Sequence, residues 1–99
     1  MVIPKTFEIL GHQVTVRFDK EYSEDAECHG SFSIGRSAIR LQPEDSTWTR
    51  KMVEHTFVHE MTHALLEIIG ESKLSKNEKF VDLFAGALHQ AINTMKGSQ

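Results

Sequence analysis

The residues with the most chemical content are His59-Glu60-Met61-Thr62-His63, a match to the pattern H-E-x-x-H. Residues four apart in an α-helix lie on one face, about 6 Å apart along the axis, so two imidazoles there can converge on one cation. Glu60 lies about 100° around the helix from His59, at the edge of that face, where its carboxylate can reach a metal-bound water. The pattern therefore predicts a metal centre with Glu60 as general base, provided that the segment is helical.

A catalytic zinc ion usually takes three protein ligands and a water, so a third ligand is needed. Glu78 follows His63 by fifteen residues and opens the next predicted helix, and Asp82 lies one turn later on the same face. We predict Glu78 as the ligand and Asp82 as the acceptor that orients a ligating histidine. Two alternatives are open: Asp82 is the ligand instead, or Ser75-Lys76-Asn77-Glu78 is only a helix capping box. The donor set favours one Zn²⁺ per chain, although ligand type alone does not exclude iron, nickel or manganese.

A hydrolytic site also needs a donor for the developing oxyanion. His29 and Tyr22 lie in the long loop after the first predicted hairpin, and either of them could supply it. Cys28 beside them is predicted to be an inert thiol. His55 extends the histidine row by one turn, but it lies ~12 Å from His63 along the helix axis. One ion cannot bind both, and a packing or orienting role is predicted for His55.

Apolar residues alternate with polar ones from Thr6 to Gln42, which is typical of half-buried strands. Gly11-His12 suits a two-residue hairpin turn, and a second alternating pair of segments flanks Gly35-Arg36. These segments predict a small antiparallel sheet of three or four strands.

The period changes after Pro43. Asp45, Ser46 or Thr47 can cap a helix that runs from about Trp48 to Ile69 and ends at Gly70. A second helix is predicted from about Ser75 to Met95, with a core face made of Phe80, Val81, Leu83, Phe84, Ala87, Leu88, Ala91 and Ile92. The fold class is α+β in a single domain, 1–99, with a sheet region at 1–45 and a helix pair carrying the metal site at 46–99.

Composition excludes several classes of function. The formal charge of −3 comes without a basic stripe, which argues against nucleic-acid binding. No apolar run approaches the ~20 residues that a bilayer needs, and the N-terminus does not have the pattern of a signal peptide. The single cysteine indicates a reducing compartment. We therefore predict a cytoplasmic protein that contacts neither membranes nor nucleic acid; nothing indicates its oligomeric state.

The two motifs together resemble the zincin metallopeptidases of the glutamate-ligand branch, and more closely the ImmA/IrrE-like and phage-encoded zincin-like proteins. Those families pair a helical H-E-x-x-H with an E-x-x-[A/V]-[N/D]-x-F-A stretch that opens the next helix, as Glu78 to Ala85 does here. The resemblance covers about residues 28–95. It implies a zinc-dependent cytoplasmic endopeptidase in which the strand around Ile39 to Leu41 offers its edge to an extended substrate. The zinc ligands that it implies are His59, His63 and Glu78, with Glu60 as general base.

The leading hypothesis is thus a zinc-dependent metallopeptidase acting on a protein or peptide substrate. One alternative is a non-catalytic zinc-binding accessory module that acts through protein–protein contact. Another is a structural domain whose histidines are packed and free of metal. Glu60 separates the first two, because a zinc site that serves folding alone has no use for a carboxylate at that position.

Overall fold

Strands occupy the first half of the chain and helices the second. A computed structural model describes residues 1–23 and 29–99. The strands are β1 (Thr6–Ile9), β2 (His12–Phe18), β3 (Gly30–Ser33) and β4 (Ala38–Leu41), with a 3₁₀ turn at Lys20–Ser23. The helices are α1 (Arg50–Ile68), α2 (Ser72–Ser75) and α3 (Glu78–Thr94). The predicted α+β class is confirmed.

The four strands form a mixed sheet in the order β1-β2-β4-β3. The pairs β1/β2 and β3/β4 are antiparallel as predicted, but β2 and β4 run parallel, with Val16 opposite Ile39. The prediction of a wholly antiparallel sheet is therefore wrong for one pair of strands, β2 and β4. Ile39 and Leu41 are completely buried, so the most apolar strand lies inside the sheet. The chain forms β3 at the edge of the sheet before it turns back into β4, so β4 runs in the same direction as β2.

The same topology corrects the predicted substrate edge. Because β4 is paired on both sides, the segment Ile39 to Leu41 has no edge to offer an extended peptide. The strand at that side of the sheet is β3, which packs against α1.

The first hairpin turns one residue earlier than predicted. Ile9 pairs with His12, so the two turn residues are Leu10 and Gly11, both with positive φ (49° and 82°). Positive φ at both central positions is the pattern of a type I′ turn, which matches the twist of the strands. The second turn does contain Gly35-Arg36, as expected.

The hydrophobic core lies between one face of the sheet and α1. Alternate strand residues point into it, because successive side chains of a strand point to opposite faces. The rings of Phe7 and Phe57 meet edge to face with their centroids 5.9 Å apart. Its buried members are Ile9, Val14, Val16, Ile39, Leu41, Val53, Phe57, Val58, Ala64 and Ala85.

Helix α1 starts two residues later than predicted, because its cap is Thr49 rather than Asp45, Ser46 or Thr47. The Thr49 hydroxyl accepts a hydrogen bond from the backbone N–H of Met52. Asp45 organises the turn before the helix instead. Its carboxylate accepts the backbone N–H groups of Thr47 and Trp48 at 2.8 and 2.7 Å.

The end of α1 agrees with the prediction at Gly70. Gly70 has φ 90°, and its N–H and that of Glu71 donate to the carbonyls of Glu67 and Leu66. These two bonds form a Schellman motif, which favours glycine because its central residue is left-handed. The turn reverses the chain and sends α2 and α3 back alongside α1.

The predicted core face of α3 is wrong at half of its residues, since Leu83, Phe84, Ala87 and Ala91 are exposed whereas Phe80, Leu88 and Ile92 are partly buried. Only Val81 and Ala85 of this helix are buried, whereas Leu83 and Phe84 are 66% and 45% exposed. The apolar arc of α3 is wider than its contact with α1, so part of it faces solvent. None of the described helices is long and apolar enough to cross a membrane.

Candidate metal centre

The two helices bring three metal-ligating side chains to one point. His59 and His63 lie on the face of α1 that meets the start of α3, where Glu78 is the first residue. The Nε2 atoms of His59 and His63 lie 3.4 and 3.2 Å from the two carboxylate oxygens of Glu78. One ligand atom from each of the three residues lies within 4.8 Å of the others, and among the described residues no other group of this kind is found.

The spacing of these atoms suits zinc. With Zn–N and Zn–O bonds of about 2.0–2.1 Å, tetrahedral angles place neighbouring ligand atoms about 3.3–3.4 Å apart. The distances from the Nε2 atoms of His59 and His63 to Glu78 are close to that separation, but they run to its two different oxygens. The donor set and its spacing are therefore compatible with an ion at this point.

The far nitrogen of each imidazole also has a partner. The Nδ1 of His59 lies 3.0 Å from the Asp82 carboxylate, and that of His63 lies 2.8 Å from the Ser75 hydroxyl. When Nδ1–H donates to such a partner, the lone pair is left on Nε2, which is the form that binds a metal. Asp82 thus lies where we predicted it. Ser75, which is buried, was assigned only to a helix cap, and no spacing rule would have identified it.

The geometry separates the alternatives for Glu78. The N-cap of α3 is Asn77, whose side-chain oxygen accepts the backbone N–H of Phe80 at 3.1 Å. Ser75 belongs to α2, so the capping box Ser75–Glu78 is absent from this part of the described chain. The carboxylate of Glu78 faces both Nε2 atoms, whereas that of Asp82 faces the opposite nitrogen of one ring.

Glu60 lies beside the ligands with its carboxylate unpaired. The residue is buried, and its carboxylate has no hydrogen-bond or ion-pair partner among the described residues. Burial raises the pKa of Glu60 to about 7; the charge of His59 opposes this, and the charges of Glu78 and Glu67 add to it. A dication at the ligands would lower this pKa again, because positive charge favours the ionised form. Without a metal, the pKa of Glu60 therefore lies nearer neutral pH than that of an exposed glutamate.

A close approach of β3 to α1 fixes the wall beside Glu60. A Cβ added to Gly30 would lie 2.6 Å from Cγ2 of Thr56 and 3.3 Å from Cγ of Glu60. The Thr56 methyl cannot easily turn aside, because its hydroxyl donates to the carbonyl of Met52 at 2.9 Å. Glycine at position 30 is thus what lets the strand lie this close to the face of α1 that carries Thr56 and Glu60.

The three ligands line a cleft of about 790 Å³ that runs along α1. Among the described residues, its walls carry carboxylates with a single lysine, Lys76, and no arginine, so the cleft attracts cations. The residues lining it are His29, Gly30, Ser31, Phe32, Trp48, His55, Thr56, His59, Glu60, His63, Glu67, Ser75, Lys76, Glu78 and Asp82. Sequence reasoning did not identify Trp48, Phe32 or Glu67 as part of the site.

Of the two predicted oxyanion donors, His29 lines this cleft. Its Nδ1 lies 2.6 Å from the side-chain oxygen of buried Gln42, and its ring stacks on Trp48. The side chain of Tyr22 lies outside the described part of the structure, and so does Cys28.

His55 also lines the cleft but is not one of the clustered ligands. Its ring meets that of His89 edge to face at 6.0 Å. His89 in turn lies 3.2 Å from Glu54, a buried carboxylate that also receives the terminal ammonium of Met1 and the guanidinium of Arg50. Burial raises the pKa of Glu54, but these hydrogen bonds and charges outweigh burial and hold it below its usual value.

A comparison of the chain with protein-family models, with curated proteins and with solved structures finds no match. The resemblance to the glutamate-ligand zincins therefore depends on the two motifs alone.

Proposed function

We propose that this protein is a zinc-dependent metallopeptidase that hydrolyses peptide bonds in the cleft along α1. The observation that carries the proposal is the cluster of His59, His63 and Glu78, whose ligand atoms lie within 4.8 Å of one another, beside buried Glu60, whose carboxylate has no partner among the described residues. A zinc site that only stabilises a fold has no use for Glu60 at that position. We also propose a cytoplasmic location, on the evidence of the single cysteine.

Each side chain has a defined task in this proposal. His59, His63 and Glu78 would hold the ion, and Asp82 and Ser75 would keep the two imidazoles in the orientation and tautomer that bind it. Zinc supplies Lewis acidity, which acidifies water and polarises a carbonyl group. Glu60 takes the proton of the attacking water and delivers it to the leaving amine.

That His29 or Tyr22 could serve the oxyanion stays a prediction from the sequence. The Nδ1 of His29 is bonded to the Gln42 side chain and its ring stacks on Trp48, so the structure describes His29 as part of the cleft wall.

The test is the substitution E60Q. This change keeps the size and the hydrogen-bonding capacity of the side chain but removes the base. We expect zinc affinity within a few-fold of the parent protein, because Glu60 is not a ligand, and a fall in hydrolysis of ~10²-fold or more. Zinc-loaded protein is incubated with a synthetic peptide library and the products are read by mass spectrometry. Equal turnover by E60Q and the parent would remove Glu60 from the mechanism.

One observation favours the alternative of a non-catalytic zinc-binding module. The outer face of α3 exposes Leu83 and Phe84, and the Phe84 ring stacks on that of Phe80 with centroids 5.7 Å apart. Exposed apolar side chains in a row are typical of protein–protein contact surfaces. Under this alternative the zinc-loaded protein cleaves nothing, and E60Q has no effect on any property.

A further inference from the structure

One end of the cleft is lined by rings. His29 and Trp48 stack with their centroids 4.0 Å apart and their planes 24° from parallel. Phe32 of β3 and His55 of α1 line the same end. Glu67 lies toward the C-terminus of α1, whereas Glu78 and Asp82 lie against the imidazole of His59.

Polar contacts anchor two residues of this group, Trp48 through its backbone and His29 through its ring. The backbone of Trp48 donates to Asp45, and the Nδ1 of His29 is bonded to the side chain of Gln42, which is only 6% exposed. Phe32 and Trp48 also pack against the hydrophobic core. A side chain that binds to a wall already fixed in this way loses less entropy than one that must order it.

The position of the rings relates them to the candidate metal centre. His55 precedes the midpoint of His59 and His63 by six residues, which is ~9 Å along the axis of α1. An extended peptide advances about 3.3 Å per residue. A peptide lying along the cleft would therefore place a side chain against the ring of His55 when that residue is two or three positions from the bond at the metal.

We propose that the His29–Trp48 stack, with Phe32 and His55, is a subsite that binds an aromatic or large apolar side chain of the peptide substrate. The inference rests on the proposed function and names its substrate class: peptides with such a residue two or three positions from the cleaved bond. Aromatic side chains are the best match, because offset stacking and edge contacts with these rings add to the burial of apolar area. A carboxylate side chain is excluded, because the cleft is acidic.

Trp48 makes binding directly measurable, because it is the only tryptophan in the chain. Zinc-loaded E60Q protein, which does not turn over, is titrated with two capped pentapeptides that differ only in Phe or Ala at one position. We expect the Phe peptide to change the Trp48 emission saturably and to bind ~10-fold or more tightly than the Ala peptide. Equal binding of the two peptides would overturn the subsite.

A pair of phenylalanine variants locates the effect. F32A should reduce the preference for the Phe peptide, whereas F18A, which removes a ring that is 52% exposed on β2 and outside the cleft, should not. The titration with the Phe and Ala peptides uses protein in which the four ring residues are unchanged. Its result therefore does not depend on whether F32A folds.

Hydrolysis by the parent protein separates this inference from the proposed function. If the zinc-loaded protein cleaves library peptides without preferring an aromatic or large apolar residue near the cleaved bond, the subsite is wrong and the peptidase stands. If the zinc-loaded protein cleaves nothing while the Phe peptide still binds selectively, the proposed peptidase activity is wrong and the proposed subsite for apolar side chains is supported.

Discussion

Removing the Glu78 carboxylate is the most direct test of the ligand assignment. In E78A the imidazoles of His59 and His63 keep their Nδ1 partners, Asp82 and Ser75, so the two rings remain in position. The first turn of α3 also keeps its cap, because that cap is supplied by the residue before Glu78. The loss should therefore appear in zinc binding rather than in folding.

The size of the loss follows from the number of ligands. Zinc binding by a four-ligand protein site is worth ~10–16 kcal/mol, so one ligand contributes about 2.5–4 kcal/mol. E78A should then weaken zinc by ~10²–10³-fold. Asp82 would affect zinc binding only through its contact with His59. Loss of such a partner typically weakens metal affinity by 10–100-fold. The side chain of Asp82 is 68% exposed and lies 3.0 Å from His59. D82A should therefore weaken zinc binding by ~10-fold, and D82N, which keeps an acceptor oxygen, should weaken it less.

Isothermal titration with zinc measures all of these variants. We expect one ion per parent chain, and E44A, which removes an exposed carboxylate outside the cleft, serves as the matched control. If D82A abolishes binding while E78A does not, the ligand assignment is reversed. If E78A keeps full affinity and only loses about 1 kcal/mol of unfolding free energy, Glu78 is a helix-terminus residue and not a ligand.

Two further predictions concern stability. G30A should lower the free energy of unfolding in urea by about 1–3 kcal/mol, because the new Cβ overpacks against Thr56. G35A, where nothing lies within 4 Å, should change it little; adding T56S to G30A should recover part of the loss, and equal effects of the two glycine variants would contradict the argument. Because the pKa of Glu54 is lower in the folded protein than its usual 4.5, its contribution to stability is complete above about pH 4.5 and is lost as the pH falls through the folded value. With EDTA present to remove metal, E54Q should lose less Tm than the parent between about pH 6 and pH 3, and a parallel decline of both would show that the contacts of Glu54 with His89 and its other partners do not stabilise the fold.

Local patterns predicted the elements of this fold better than their arrangement. Alternation placed the strands, and Gly70 placed the end of α1, because both signals act through neighbouring residues. The parallel pairing of β2 with β4 depends on which strand is most completely buried, and this is decided by packing against α1. A hairpin pattern carries no information about the strand that will join it to the rest of the sheet.

The residues of the candidate site could likewise be predicted only in part from the sequence. The spacing of His59, His63 and Glu78 brought three residues to attention that the structure does place together. Ser75 and Gln42 could not be predicted as partners of histidines, because each is brought to its ring by tertiary packing. In the sequence, Trp48 is an apolar residue at the start of a predicted helix. Only the fold shows that it lines the cleft.

The segment between α1 and α3 connects the sequence to the candidate site. The Schellman turn at Gly70 ends α1 one and a half turns after His63, and the single turn of α2 then returns the chain to the same face. As a result, Ser75 at the end of α2 meets one nitrogen of His63, and Glu78 at the start of α3 meets the other. The fifteen-residue spacing thus has a structural cause: it is the length of chain needed to reverse direction and bring both groups to one imidazole. The glycine that ends α1 thus helps to form the candidate site, because its turn brings Ser75 and Glu78 to His63.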